Sequence, residues 1–330
     1  MDSAAAGDLE EAAGGDSRPE IMRIPTIIPL FVAGAMLAAI QIQAAHLQGE
    51  GFPSPYAAAK GLLAAAENDD VAALVKILGP SAKDFLITSD PVADEQLRRK
   101  FVDAARQRIK VAADPHNPHA RTVLVGTDGW PLPIPIVRAN GNWYFDPEQG
   151  KQEILARRIG SNELDAIEVC RGYVEAQNEY AERDRTGSGT RHYAQKIISS
   201  PGKQDGLYWP ATDKNDESPI ADLIAQAFAE GYTNRHRPYH GYYFKILTAQ
   251  GPQATGGEMS YLQNGLMTKG FALVAWPSGF GSTGMMTFIV DKSGIVYEKN
   301  LGPKTSEIAR DYDAYDPDQT WAPVATSARK

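Results

Sequence analysis

Residues 152–183 read QEILARRIGSNELDAIEVCRGYVEAQNEYAER, and this stretch decides the architecture of the chain. In its second half, mostly apolar residues recur at spacings of three and four: Leu164, Ile167, Cys170, Val174, Gln177 and Ala181. That spacing is the period of an α-helix with one buried stripe. The sequence therefore predicts one long helix that packs against the elements that follow it.

On the C-terminal side, Gly187-Ser188-Gly189 ends the helix and the pattern changes to that of β-strands. Strands are predicted at Tyr242–Leu247, Phe271–Trp276, Met285–Val290 and Ile295–Lys299. The turn Asp291–Gly294 joins the last two of them. Residues 151–330 are thus predicted to form a long helix packed on an antiparallel β-meander.

On the N-terminal side, helices are predicted from Pro55, over Val71–Leu78 and from Pro91. Leu97, Phe101, Ala105 and Ile109 give the third helix an apolar face. Strands at Thr122–Val125 and Ile134–Val137 follow, and a hairpin turn at Ala139–Asn142 leads into Trp143. After a linker over 46–55, residues 56–150 are predicted to form a small α+β domain. The fold class of the whole chain is α+β.

The first 45 residues indicate export. Every residue from Ile24 to Ile40 except Thr26 is apolar, Gly or Pro, which is short for a membrane span but typical of the core of a signal peptide. The acidic residues 1–21 do not fit such a peptide, so we interpret them as a leader upstream of a true start at Met22. Residues 22–45 are then a signal peptide. An uncleaved anchor over 24–42 and a buried core helix remain the alternatives. The expected location is periplasmic or secreted.

Charge and cysteine content exclude several classes of protein. The net charge is −8 and no basic tract occurs, so a nucleic-acid partner is not expected. Cys170 is the single cysteine, which excludes an internal disulfide framework and a cysteine-rich zinc site. Its place on the helical stripe predicts a buried, inert thiol.

Sequence motifs for cofactors fail in context. Residues 279–284 match G-x-G-x-x-G, but the apolar run that follows is strand-like, whereas a dinucleotide site needs this loop to open a helix. We interpret the loop as a glycine-rich hairpin turn. The pairs His116/His119 and His236/His240 include or flank prolines and lack the pattern of a zinc site. No cofactor is predicted.

Two groups of residues are weak candidates for a site. The first is a set of acidic residues near the C-terminus that offers hard oxygen ligands to calcium, although ordinary use in turns is the simpler interpretation: Asp311, Asp313, Asp316 and Asp318. The second is a set of residues on aromatic loops that suit an exposed binding face or, alternatively, the core: Asp205, Tyr208, Trp209, Tyr239 and His240.

Five strings, in this order, resemble the bacterial domain-of-unknown-function 2950 family. They are WPLPIP at 130–135, RRIGSNE at 157–163, DGLYWP at 205–210, YHGYY at 239–243 and GFALVAWP at 270–277. The resemblance covers about 52–323. It implies an exported bacterial setting and supplies no catalytic residues.

Residues 160–300 are also similar to the globular part of type IV pilin-like and pseudopilin-like proteins, which pack one helix on an antiparallel sheet. About 120 residues separate the hydrophobic segment from this helix, whereas pilins keep the two contiguous. Residues 52–150 resemble small cone-shaped domains of the nuclear-transport-factor-like kind.

The sequence therefore predicts an exported envelope protein that binds or scaffolds without chemistry of its own. Its expected partner is an envelope protein or a cell-wall component, with transient membrane contact through the N-terminal segment. Two alternatives remain. One is an envelope hydrolase with a site between the two domains and His240 as general base. The other is a calcium-stabilised structural protein.

Overall fold

The structure is a computed structural model that describes residues 48–114, 117–211, 217–221, 227 and 237–325. The predictions for 1–21 and 22–45, and those for His116 and His236, fall outside these ranges. Within the described ranges, no helix has both the length and the apolar character needed to cross a membrane.

Four helices open the described chain: α1 (Pro55–Glu67), α2 (Val71–Leu78), α3 (Lys83–Leu86) and α4 (Pro91–Gln107), with a 3₁₀ turn at Pro80–Ala82. A side chain caps each of the three longer helices at its N-terminus. Ser54, Asp70 and Asp90 accept backbone amides at 3.1, 2.9 and 3.1 Å. These caps confirm the predicted helix starts, since each satisfies an amide that the helix leaves unpaired.

The first sheet contains β1 (Ile109–Ala113), β2 (Ala120–Val125), β3 (Trp130–Pro131), β4 (Ile136–Ala139) and β5 (Asn142–Phe145). The strand order is β1-β2-β4-β5, and β3 pairs with β2. The predicted hairpin turn is confirmed at Asn140–Gly141, whose φ angles are 49° and 84°. The helices and this sheet enclose one cluster of buried side chains, which we call the first core.

The predicted apolar face of α4 is wrong at both ends. Leu97 is 50% exposed, and Ile109 is not in the helix at all. The helix ends at Gln107 because Arg108 adopts an extended conformation, so Ile109 begins β1. The four-residue spacing continued past the true end of the helix by chance.

Helix α5 (Pro147–Tyr180) begins and ends earlier than predicted, with Asp146 as its N-cap and Pro147 in its first turn. The predicted stripe is also wrong at Leu164, which is 66% exposed. The N-terminal part of α5 places Ile154 and Leu155 against the first core. Its C-terminal part lies against a second cluster, the second core, and no single stripe runs along the whole helix.

The second core is built on a sheet of five strands: β6 (Tyr242–Leu247), β11 (Ala272–Pro277), β12 (Thr287–Asp291), β13 (Val296–Lys299) and β15 (Ala322–Pro323). Their order in the sheet is β6-β11-β12-β13-β15. Their antiparallel pairing confirms the predicted meander. Around it lie α6 (Thr305–Arg310) and five short strands: β7 (Ala249–Gln250), β8 (Met259–Ser260), β9 (Leu262–Gln263), β10 (Leu266–Met267) and β14 (Ala314–Tyr315).

The interior of the second core agrees with the prediction for Cys170. Its thiol is fully buried, and burial raises its pKa to about 12, so it stays protonated and inert. Tyr173 packs edge-on against Phe271 beside it, with ring centroids 5.6 Å apart. The fold is α+β, with one long helix lying against both cores.

Two glycines of α5 give opposite predictions for the same substitution. A Cβ at Gly160 would meet open space, so Gly160→Ala is expected to raise the free energy of unfolding by about 0.5–1 kcal/mol. A Cβ at Gly150 would lie 2.7 Å from the carbonyl oxygen of Pro133. Gly150→Ala is therefore expected to destabilise by about 1–3 kcal/mol, because this backbone must shift. Urea unfolding of both variants checks the contrast, and equal effects would contradict the packing at Pro133.

Candidate functional site

Polar contacts concentrate where the middle of α5 passes between the two cores. We call this region the seam: residues 88–94 from the first core, 158–165 from α5, and 239–241 and 278–283 from the second core. Several of these contacts join segments that are far apart in sequence. The seam therefore contains the best candidate for a functional site among the described residues.

The first contact of the seam is a buried ion pair. An oxygen of Asp94 lies 3.6 Å from Nη2 of Arg158, and their side chains are only 5% and 9% exposed. Asp94 also accepts the amide and hydroxyl of Thr88 at 2.6 and 2.9 Å, and Nη2 donates to the carbonyl of Phe85 at 2.6 Å. Burial raises the pKa of Asp94 and lowers that of Arg158, since both charged forms lose water.

One hydrogen bond and one close approach constrain the backbone at Gly241. Its amide donates to the buried carboxylate of Asp90 at 2.8 Å. A Cβ at this position would lie 2.5 Å from Nδ2 of Asn162, which donates instead to the carbonyl of Thr283 at 2.9 Å. Gly241 also has a φ of 74°. Glycine is required here both by the close approach and by the backbone conformation.

A pair of hydroxyl groups joins the two cores next to these contacts. The Oγ atoms of Ser89 and Ser278 are 2.7 Å apart, and Oγ of Ser278 is 3.3 Å from Oγ1 of Thr283. The amide of Ser278 donates to the carbonyl of Gly241 at 2.9 Å. The hydroxyl cluster thus lies directly beside the turn that carries His240.

His240 is the most unusual residue of the seam. Its Nδ1 lies 2.7 Å from a carboxylate oxygen of Asp165 on α5, and its ring stacks on Tyr239 with centroids 4.2 Å apart. The His240 side chain is 21% exposed and that of Asp165 is 43% exposed. An imidazole paired with a carboxylate near the surface can bind a ligand or transfer a proton.

His240 lies in a tight hairpin turn, a position where asparagine is the more usual residue. Tyr239 and Tyr242 exchange both backbone hydrogen bonds, at 2.8 and 3.0 Å, around a two-residue turn in which His240 has a φ of 46°. The same conformation occurs at Asn140–Gly141 and at Asn264–Gly265. Those two turns carry the Asn-Gly sequence that this geometry favours. Asparagine at two of the turns is the residue that this turn type prefers, whereas histidine tolerates the same positive φ but is not the preferred residue.

The predicted binding face is not a single exposed surface. Trp209 is 4% exposed and belongs to the second core, where its ring contacts that of Tyr180. Tyr208 is half-buried against the same core. This burial corrects the expectation that Trp209 is exposed. Trp209 instead fits the alternative interpretation, in which the aromatic residues belong to the core.

Asp205 holds a loop together. Its carboxylate accepts the amide of Ser200 at 2.7 Å and pairs with Lys196 at 2.8 Å. Burial alone raises the pKa of Asp205, but Lys196 and the amide and hydroxyl of Ser200 together lower it to about 2. All the hydrogen bonds of its carboxylate to described residues lie within the segment 196–205.

The C-terminal aspartates have separate partners. Asp313 pairs with Lys245 at 3.0 Å, Asp316 accepts the amide of Gln253 at 2.7 Å, and Asp318 accepts the amide of Thr320 at 2.8 Å. Asp311 is exposed at the end of α6. In the described part of the chain, no group of three or more His, Cys, Asp or Glu side chains is arranged to hold a metal ion.

The glycine-rich loop 279–284 connects the antiparallel strands β11 and β12, as predicted. Its amides at Gly281 and Thr283 donate to carbonyls of the same loop, both at 2.9 Å. The loop does not open a helix, so it lacks the geometry that holds a dinucleotide pyrophosphate.

Comparison with known proteins identifies the family. The model of DUF2950, described as a protein of unknown function, matches residues 49–324. The chain belongs to the DUF2950 family. No curated protein and no solved structure matches it.

In this DUF2950 protein, sequence reasoning missed most residues of the seam. His240 was a candidate, but its partner Asp165 was not, nor were Asp90, Asp94 and Arg158. One signal was available in the string YHGY at 239–242. A tyrosine typical of strands lies on each side of the pair His240-Gly241. That pattern fits a tight hairpin turn with histidine in the place of asparagine.

Proposed function

We propose that this DUF2950 protein is exported to the bacterial envelope and binds an envelope protein or a cell-wall component without chemistry of its own. The proposed recognition point is the Asp165–His240 pair together with Tyr239. The observation that carries this proposal is the turn at His240–Gly241, where histidine occupies a position that asparagine fills at both comparable turns.

Physical reasoning supports this choice of residue. A residue other than glycine with positive φ carries a conformational cost, which persists only where the surroundings over-determine it. The carboxylate of Asp90 accepts the amide of Gly241, and the side chain of Asn162 lies close against this backbone. The imidazole and the Tyr239 ring are therefore presented in a fixed orientation, and a preorganised surface loses less entropy on binding.

The test uses His240→Asn, which keeps the preferred turn sequence and removes the imidazole. Immobilised wild-type and variant chains are exposed to solubilised bacterial envelopes and to purified peptidoglycan, and the bound material is quantified by mass spectrometry. We expect His240→Asn and Asp165→Asn to lose the bound component by about tenfold or more.

The matched control is Asn264→Gly, which changes an equivalent turn elsewhere without removing an imidazole. It should bind as the wild type does. If His240→Asn captures the same component with the same yield as the wild type, the proposed recognition point is wrong.

One observation favours a second candidate, an envelope hydrolase. A carboxylate on Nδ1 fixes the tautomer of a histidine and supports its use as a general base, and Asp165 and His240 have this arrangement at 2.7 Å. Turnover of peptidoglycan fragments, esters or glycosides that is lost in His240→Asn would favour the hydrolase. A wild-type chain that binds one of these compounds without turnover would favour the binding module.

The packing of α5 on the antiparallel meander also supports our proposal of a pilin-like relationship for this half of the chain. Export through residues 22–45 remains part of the same proposal. Intact mass of the chain expressed in a bacterial host tests it, since a mature species that begins near Ala45 in the periplasm is expected. A full-length cytoplasmic species would contradict export.

A further inference from the structure

A cluster of two arginines and a tryptophan lies at one end of the first sheet. The guanidinium carbons of Arg121 on β2 and Arg138 on β4 are 5.2 and 5.9 Å from the centre of the Trp143 ring on β5. Arg138 is exposed, and Arg121 and Trp143 are partly exposed. We call these three residues the arginine–tryptophan cluster.

The positive charge of this cluster is not neutralised within the described ranges, because neither arginine has a carboxylate within ion-pair distance. Arg121 donates to the backbone carbonyls of Pro118 and Ala120 at 2.9 and 2.7 Å, and the Arg138 side chain makes no polar contact with another described residue. A different arginine–tryptophan stack offers a comparison. Arg157 lies 4.7 Å from the ring centre of Trp130 but is neutralised by Glu153 at 2.7 Å.

The backbone of Trp143 is paired on both sides. Phe52, which precedes α1, and Trp143 exchange backbone hydrogen bonds, both at 2.8 Å. On its other side Trp143 pairs with Arg138 of β4. The position of the cluster is therefore fixed by the sheet and by the segment before α1.

We infer that the arginine–tryptophan cluster binds the anionic phospholipid headgroups of a membrane surface. This inference rests on the proposed location of the protein in the bacterial envelope. Guanidinium groups match phosphate oxygens with paired hydrogen bonds. Tryptophan favours the interface between headgroups and hydrocarbon. Anionic lipid repels a chain of net charge −8. The two arginines, which have no carboxylate partner among the described residues, are attracted to the same lipid, so the protein turns this surface toward the membrane.

The test is sedimentation of the full chain with vesicles of phosphatidylcholine, with and without phosphatidylglycerol. The hydrophobic segment is present in both assays, so the difference between the two vesicle types measures the contribution of charge. We expect wild type to bind the anionic vesicles more tightly. The double variant Arg121→Gln/Arg138→Gln should lose about tenfold or more of that affinity, and Arg138→Gln alone about fivefold.

Four results separate the outcomes. Arg157→Gln, which changes the neutralised stack, should bind the anionic vesicles as the wild type does. His240→Asn should also bind them as the wild type does. The inference about lipid therefore stands even if the proposed recognition point at His240 is wrong. Equal binding of wild type and Arg138→Gln to anionic vesicles would overturn it. Full displacement of the anionic vesicles by millimolar inorganic phosphate would also overturn it, in favour of a site for free phosphate. The Arg138 side chain makes no hydrogen bond to any described residue, so Arg138→Gln is expected to fold.

Discussion

Replacing Asp94 with alanine is expected to lower the free energy of unfolding by about 3–5 kcal/mol. The substitution leaves the guanidinium of Arg158 buried between α5 and the first core without its counter-charge. Nη1 of Arg158 has no acceptor among the described residues even with Asp94 present. Urea unfolding at neutral pH measures the loss.

Two variants test this explanation. Glu95→Ala removes the neighbouring carboxylate, which pairs with Arg99 on the exposed face of α4, and should cost less than about 0.5 kcal/mol. Asp94→Ala/Arg158→Met removes both charges and should be more stable than Asp94→Ala alone. A double variant as unstable as the sum of its single variants would show that the two charges do not interact.

Replacing Gln177 with leucine is expected to destabilise the protein by about 2–4 kcal/mol. Gln177 is fully buried on α5, and its amide group pairs with both backbone groups of Ala194, each at 2.8 Å. It also donates to the hydroxyl of Tyr173 at 3.0 Å. Leucine fills a similar volume but leaves the amide and carbonyl of Ala194 buried without partners.

The neighbouring Gln195 provides a matched control, since its side-chain amide donates to the carbonyl of Gly265 on the exposed surface at 2.8 Å. Gln195→Ala should change stability by less than about 0.5 kcal/mol. Thermal unfolding and hydrogen exchange at Ala194 both report the effect of Gln177→Leu. A variant that keeps the Ala194 amide protected would contradict the assigned role.

Local signals in the sequence predicted the elements that depend on local chemistry. Ser54, Asp70 and Asp90 mark helix starts because their side chains satisfy the first amides of a helix. Asn140–Gly141 marks a hairpin because both residues accept positive φ. Strand β6 was predicted with its observed bounds because strand formers fill it between clear breaks.

The seam could not be predicted because its contacts depend on tertiary structure. His240 and Asp165 are 75 positions apart, and Gly241 and Asp90 are 151 apart. No local period records such a pairing. The exposure of Leu164 has a related cause, because α5 turns different faces toward the two cores and a single stripe describes only one of them.

The most direct test of the account measures stability and ligand capture on one preparation of His240→Asn. If His240 serves recognition, the free energy of unfolding should change by less than about 1 kcal/mol, because asparagine suits the turn and the lost pair is partly exposed. Capture of the envelope component should fall by about tenfold or more. A loss of more than about 2 kcal/mol, or capture equal to that of the wild type, would show that His240 holds the fold rather than a ligand.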